Sequence, residues 1–218
     1  MEIDKSLVKT VIENGGSDIL SNLGEITLEL VTNNEAISQI PIIGTLRSLY
    51  KITNSISDRI FIQKILKFLR ELHTLSFEEK EKMKRKIEKD KKNNIGENLL
   101  EIVNKIDNNN KFKIIGQIFR SYINEEIDFE NLLRLSQIVN NSYLPDLMKL
   151  TFFARGQPIS NPNSSALLSI GILKISEKKY IGENIFRSET ELHFFEYTLN
   201  EAGKKLLYII YPDFEIIR

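Results

Sequence analysis

Residues 40 to 72, IPIIGTLRSLYKITNSISDRIFIQKILKFLREL, form the most apolar long stretch of the chain. Such a stretch either enters a bilayer or builds a core, and that choice constrains what the rest of the chain becomes. From Ala36 to Ile56 there are eight Ile or Leu residues. Each is worth roughly −0.3 to −0.6 kcal/mol at the centre of a membrane helix, whereas Arg47 and Lys51 each cost about 2.5 to 3.5 kcal/mol there. Spanning is unfavourable. The following segment is worse placed, because Asp58, Arg59, Lys64, Lys67 and Arg70 punctuate it. Burial in a helical bundle is expected instead, each buried Leu, Ile or Phe contributing roughly 1.5 to 3 kcal/mol.

The pattern supports that expectation. Pro41 suits a first helical turn, and on a 100° wheel Ile42, Ile43, Leu46, Leu49, Tyr50 and Ile56 share one face. The next helix, opening near Ser57 or Asp58, sets Ile60, Ile62, Ile65, Leu66, Phe68, Leu69 and Leu72 around most of its circumference and reads as central in the bundle. Ser76-Phe77-Glu78-Glu79 has capping-box spacing and starts a very polar helix, in which Glu81, Glu88 and Asp90 interleave a basic run from Lys80 to Lys92. That run reads as a solvated face. Further helices are expected at about 96–106, 111–124, 129–141 and 144–154, with Asp128 as N-cap of the third. Asn14-Gly15-Gly16-Ser17 and Asn33-Asn34 break the first third into short helices.

After residue 155 the texture changes. RGQPISNPN is a turn-rich linker, and SSALLSIGIL is one short helix closing at Gly171. Strands are expected at about 173–181 and 191–199, forming a hairpin. Thr198-Leu199-Asn200-Glu201 repeats the capping-box spacing ahead of a last helix that runs to Pro212. Through PDLMKLTFFA, SSALLSIGILK, the hairpin and YTLNEAGKKLL, the final third resembles a winged helix-turn-helix domain. The resemblance implies DNA binding or protein contact. The segment in the place of the recognition helix, PNSSALLSIG, has no Lys or Arg, so Arg155, Lys178 and Lys179 are the candidate nucleic-acid contacts. The expected fold is therefore mostly α: a helical bundle over 1–110, then over 111–218 a helical connector and a winged-helix-like α+β domain with one hairpin.

Composition narrows the chemistry. Thirty basic and thirty acidic side chains leave a net charge of +0, so attraction to nucleic acid or anionic lipid has to come from a local patch. With no cysteine, disulfides, thiolate metal sites and a thiol nucleophile are excluded. No glycine-rich phosphate loop is present, and the two histidines, His73 and His193, lack partners at metal-ligand spacing. Arg187 and His193 resemble the R-x(4 to 6)-H element of HEPN ribonucleases, which lies at a helix end; here the pair falls in an expected loop and strand. No catalytic, cofactor or metal residue is assigned.

The amino terminus lacks an apolar signal region, and a cytoplasmic protein is expected. Abundant Asn, Lys and Ile have the look of an AT-rich bacterial or phage genome. The leading expectation is a non-enzymatic protein-interaction module of a bacterial or prophage defence or regulatory system, with a protein partner. Its candidate partner or membrane face is Ile42, Ile43, Leu46, Leu49, Phe61 and Phe68. A membrane-perturbing effector using residues 37–72 is one alternative, since the layout resembles small bacterial toxin and antiphage effectors that hold a membrane-active bundle in check. A winged-helix DNA-binding regulator is the other.

Overall fold

The computed structural model describes residues 2–12, 25–33, 35–53, 55–158, 164–183 and 189–215, and of 32, 33, 158, 178–183 and 189–194 only the backbone. The expected break at Asn14-Gly15-Gly16-Ser17 lies outside those residues. The chain is mostly α, a multi-helix bundle with a small β-hairpin, and it divides into two compact units, Met1–Ser136 and Gln137–Arg218.

The first unit contains α1 (Glu2–Ile12), α2 (Leu28–Asn33), α3 (Ala36–Gln39), α4 (Pro41–Tyr50), α5 (Ile56–His73), α6 (Phe77–Lys89), α7 (Ile95–Asn104) and α8 (Asn109–Ile123). Helix α9 (Phe129–Asn141) contains the division. Helix α1 buries Ile3, Leu7 and Val11, one per turn, and packs on α4, α6 and α7. Two polar side chains of α1 cap other helices. The Thr10 hydroxyl accepts from the Ile42 N–H at 3.0 Å, and the Asp4 carboxylate from the Gly96 N–H at 2.7 Å. Each satisfies a first-turn donor that has no partner within its own helix, and the carboxylate also meets the positive end of the α7 dipole. Glycine is needed at 96, since a Cβ there would stand 2.8 Å from Ile3 Cγ2.

Helix α5 is the centre of this unit. It buries Ile62, Ile65, Leu66, Phe68, Leu69 and Leu72 and contacts α2, α7 and α8. An aromatic run continues from it: Phe68 meets Phe119 edge-on with ring centres 6.4 Å apart, Phe119 lies 6.1 Å from Tyr122, and Tyr122 lies 6.1 Å from Phe129. The capping box at Ser76 and Glu79 is formed in both directions, and Asp128 accepts from the Asn131 N–H at 2.8 Å, as expected of an N-cap. The unit extends past the expected boundary at residue 110, because α8 packs on α5 and α6 and buries Phe112, Ile115 and Phe119.

In the second unit the single helix expected over 144–154 is two, α10 (Leu144–Leu147) and α11 (Leu150–Phe153), because Lys149 leaves helical geometry at φ −94° and ψ 8°. Then come β1 (Gln157–Pro158), α12 (Ser164–Ser169), β2 (Leu173–Glu183), β3 (Glu189–Leu199) and α13 (Glu201–Ile210). The strands pair antiparallel in the order β1-β3-β2, with Leu173 opposite Leu199 and Ile175 opposite Tyr197. Each hairpin strand is two residues longer at its tip than alternation predicts. Pro158 sits on an edge strand, where its missing N–H does not break a ladder.

The sheet is anchored through Leu173, Tyr197 and Leu199, which are buried together with Phe153, Leu167, Ala202, Leu206 and Leu207 of the unit's helices. The N-cap of α13 is Asn200, not Thr198. Asn200 Oδ1 accepts from the Gly203 N–H at 3.0 Å and its Nδ2 donates to the Gly171 carbonyl at 2.8 Å, whereas Thr198 remains in β3 with its hydroxyl 2.8 Å from that of Ser176. Among the described residues no helix is long and apolar enough to cross a membrane.

Candidate functional site

The surface chemistry of the second unit is set by strand alternation. Opposite partners share a face, so Leu173, Ile175, Glu177, Phe195, Tyr197 and Leu199 belong to one face of the β2–β3 pair. Near the base that face is covered. Further out Ile175 is 53% exposed and Phe195 51%, diagonal neighbours across the two strands. Phe152 of α11 is exposed as well, and the carbonyl of its peptide accepts from Gln157 Nε2 at 3.0 Å, which ties the end of that helix to the start of β1. Gly156 between them has φ +80°, a left-handed conformation that favours glycine, and so turns the chain from α11 into β1.

The other face of the pair carries Lys174, Ser176 and Thr198. With Lys204 and Tyr208 of α13 they line a cavity of about 240 Å³. Lys204 is held 3.0 Å from Glu201. Nearby, Tyr211 donates its hydroxyl to the Met148 carbonyl at 3.1 Å, and burial pushes its phenol up from the ordinary value. Helix α12 buries Ser164 and Leu167 and turns Ser165, Ala166 and Ser169 to solvent. These are small and uncharged.

The residues singled out from the sequence are not brought to one place. Ile42, Ile43, Leu46 and Phe68 are buried in the core of the first unit, and Phe61 is half-buried. Leu49 departs from the wheel's promise at 47% exposed, and Tyr50, Ile56 and Ile60 are exposed with it. The reason is local. Helix α4 stops at Tyr50, where Lys51 turns left-handed at φ +49°, so Ile56 belongs to a different helix from the face it was assigned to. Arg155 is exposed. Lys178 and Lys179 lie opposite Phe194 and His193 in the ladder; as successive strand positions they fall on opposite faces of the sheet, and their side chains lie outside the description.

His193 is a strand position rather than a helix end, and Arg187 lies outside the described residues. Among the described residues no group of three or more His, Asp or Glu is placed to hold a metal ion. Sequence reasoning missed Ile175 and Phe195 as surface groups. Alternation gave their face, but not how far the cover on that face extends. No family model, curated protein or solved structure matches the chain.

Proposed function

We propose that this protein is a non-enzymatic interaction module whose second unit is a winged-helix-like reader of a protein surface. The observation that carries the reading is the contrast within that unit: α12 offers solvent Ser165, Ala166 and Ser169, while the hairpin offers Ile175 and Phe195. Helix-turn-helix readers of DNA hold phosphates through several cations, whereas protein contacts are built on buried aromatic and aliphatic anchors. A short strand ahead of the middle helix and the order β1-β3-β2 support the winged-helix likeness. The setting proposed is a bacterial or prophage defence or regulatory system, supported by residue usage alone. The test is capture of partners from the native cells with the full chain and with Ile175→Glu/Phe195→Glu. A partner held by the first and lost by the second, at equal melting temperature, is expected. No partner, together with cleavage or tight binding of DNA or RNA by the purified protein, overturns the reading.

One observation favours a second reading, engagement of a membrane surface after a trigger. Leu49, Tyr50, Ile56 and Ile60 are exposed around the connection between α4 and α5, beside the exposed Lys51. Apolar groups flanked by a cation suit an anionic interface. Leakage from anionic vesicles that Ile56→Glu abolishes would support this reading, and leakage indifferent to that change would end it.

A further inference from the structure

We propose that the cleft between α6 and α8 is a binding site for an oligophosphate, the linked phosphoryl groups of a small molecule. The cleft has a volume of about 360 Å³ and is lined by Lys82, Arg85, Lys86 and Lys89 on one side and by Asn124 and Glu125 on the other. The four cations follow helical spacing, so α6 turns one face of like charges into a single concavity. No carboxylate of α6 is among the residues lining the cleft, although Glu78 reaches Lys82. Glu78 and Glu79 stand in the first turn, and Glu88 lines a different groove with Lys84 and Asp4.

The local anions satisfy this cluster poorly. Lys86 is fixed at the base, its side chain 16% exposed and its ammonium 5.1 Å from the centre of the Tyr122 ring. Its carboxylate contacts are long, 3.7 Å to Asp90 Oδ2 and 3.4 Å to Glu125 Oε1, and the same Asp90 oxygen already accepts from the Tyr122 hydroxyl at 2.8 Å. Lys82 lies 3.1 Å from the largely exposed Glu78 and donates to Asn124 Oδ1 at 3.4 Å. Arg85 and Lys89 are exposed and have no ion pair among the described residues. The one carboxylate among the lining residues, Glu125, is 66% exposed and sits on a backbone at φ +62°, a conformation a non-glycine residue adopts at a cost.

Glu125 thus holds the place of an anion over Lys86 from the solvent side of the cleft. A phosphate chain matches what remains: one planar guanidinium for paired oxygens and three ammonium groups for distributed charge. No aromatic side chain among the lining residues offers a stacking face, so recognition falls on the phosphates and not on a base.

The experiment is calorimetric titration of inorganic tripolyphosphate into the full chain at low ionic strength. We expect one site per chain, weakened at least about tenfold by Arg85→Gln/Lys89→Gln and far less by Lys84→Gln, which removes a cation of the other groove. Glu125→Gln tightens binding several-fold, an effect that a merely structural Glu125 would not give. Absence of binding, binding indifferent to the double change, or weakening by Glu125→Gln overturns the proposal. So does binding of a single-stranded oligonucleotide that tripolyphosphate fails to displace.

Discussion

Glu79 shows how one side chain couples a local rule to the fold. Burial alone pushes its carboxyl up, but the Ser76 N–H donating at 2.8 Å, Arg120 at 3.0 Å and Asn124 Nδ2 at 3.4 Å outweigh it and hold the group below its usual value of 4.5. A carboxyl depressed by folding adds stability that is fully present above its unfolded value and lost as pH falls through the folded one. Glu79→Gln is therefore expected to cost about 1 kcal/mol at neutral pH and to flatten the loss of stability on acidification below about pH 4.5, read from denaturant unfolding at a series of pH values. The capping spacing was legible in the sequence. The partners Arg120 and Asn124 were not, because they come from the end of α8 and its C-cap, more than forty positions away. A second residue-scale contrast separates core from surface in the apolar stretch. Phe68→Ala, which empties a site against Phe119, is expected to cost about 3 to 5 kcal/mol, and Leu49→Ala less than about 0.5 kcal/mol, by the same unfolding measurement.

At the scale of elements, the last helix is the most sharply specified. Gly203 has no room for a side chain, since a Cβ would stand 2.3 Å from the Ile172 carbonyl oxygen, and Asn200 closes the turn beneath it. Gly203→Ala is expected to lower the stability of the second unit by about 1 to 3 kcal/mol through this overlap, and Asn200→Ala by about 1 kcal/mol through the lost cap, both measured by thermal unfolding. Periodicity found the helices and strands because each buries one face, and a buried face leaves a repeat of 3.6 or 2 in the sequence. It gave the wrong cap for α13, since Thr198 and Asn200 both precede an acceptable first turn, and the pairing of β3 with β2 claims the first. It also joined α10 to α11, because apolar spacing continues across Lys149 while the backbone does not. The cleft beside α6 was hidden for a different reason. Along the chain its cations alternate with acids and look solvated; only the wheel positions of 82, 85, 86 and 89, combined with the approach of α8, collect them on one side.

For the whole molecule, the division at Ser136 and Gln137 carries a thermodynamic consequence. The aromatic run from Phe68 through the buried Phe119 and Tyr122 to Phe129 belongs to the first unit and the sheet anchored by Leu173, Tyr197 and Leu199 to the second. Amide exchange reports the free energy of the opening that frees each hydrogen bond, and openings follow cooperative units that share a core. A substitution that empties one core should therefore lower protection throughout its own unit and leave the most protected amides of the other at their original rates. Phe119→Ala is expected to accelerate exchange in α5, α7 and α8 while β2, β3 and α13 keep theirs, and Gly203→Ala to do the reverse, as followed by hydrogen–deuterium exchange and mass spectrometry. Uniform acceleration over both units by either variant would mean that the chain opens as one body, and a partner gripping the second unit would then stabilise the cationic cleft of the first. Separate responses would instead confine a partner's stabilisation to the unit it touches and leave the oligophosphate affinity of the cleft unchanged.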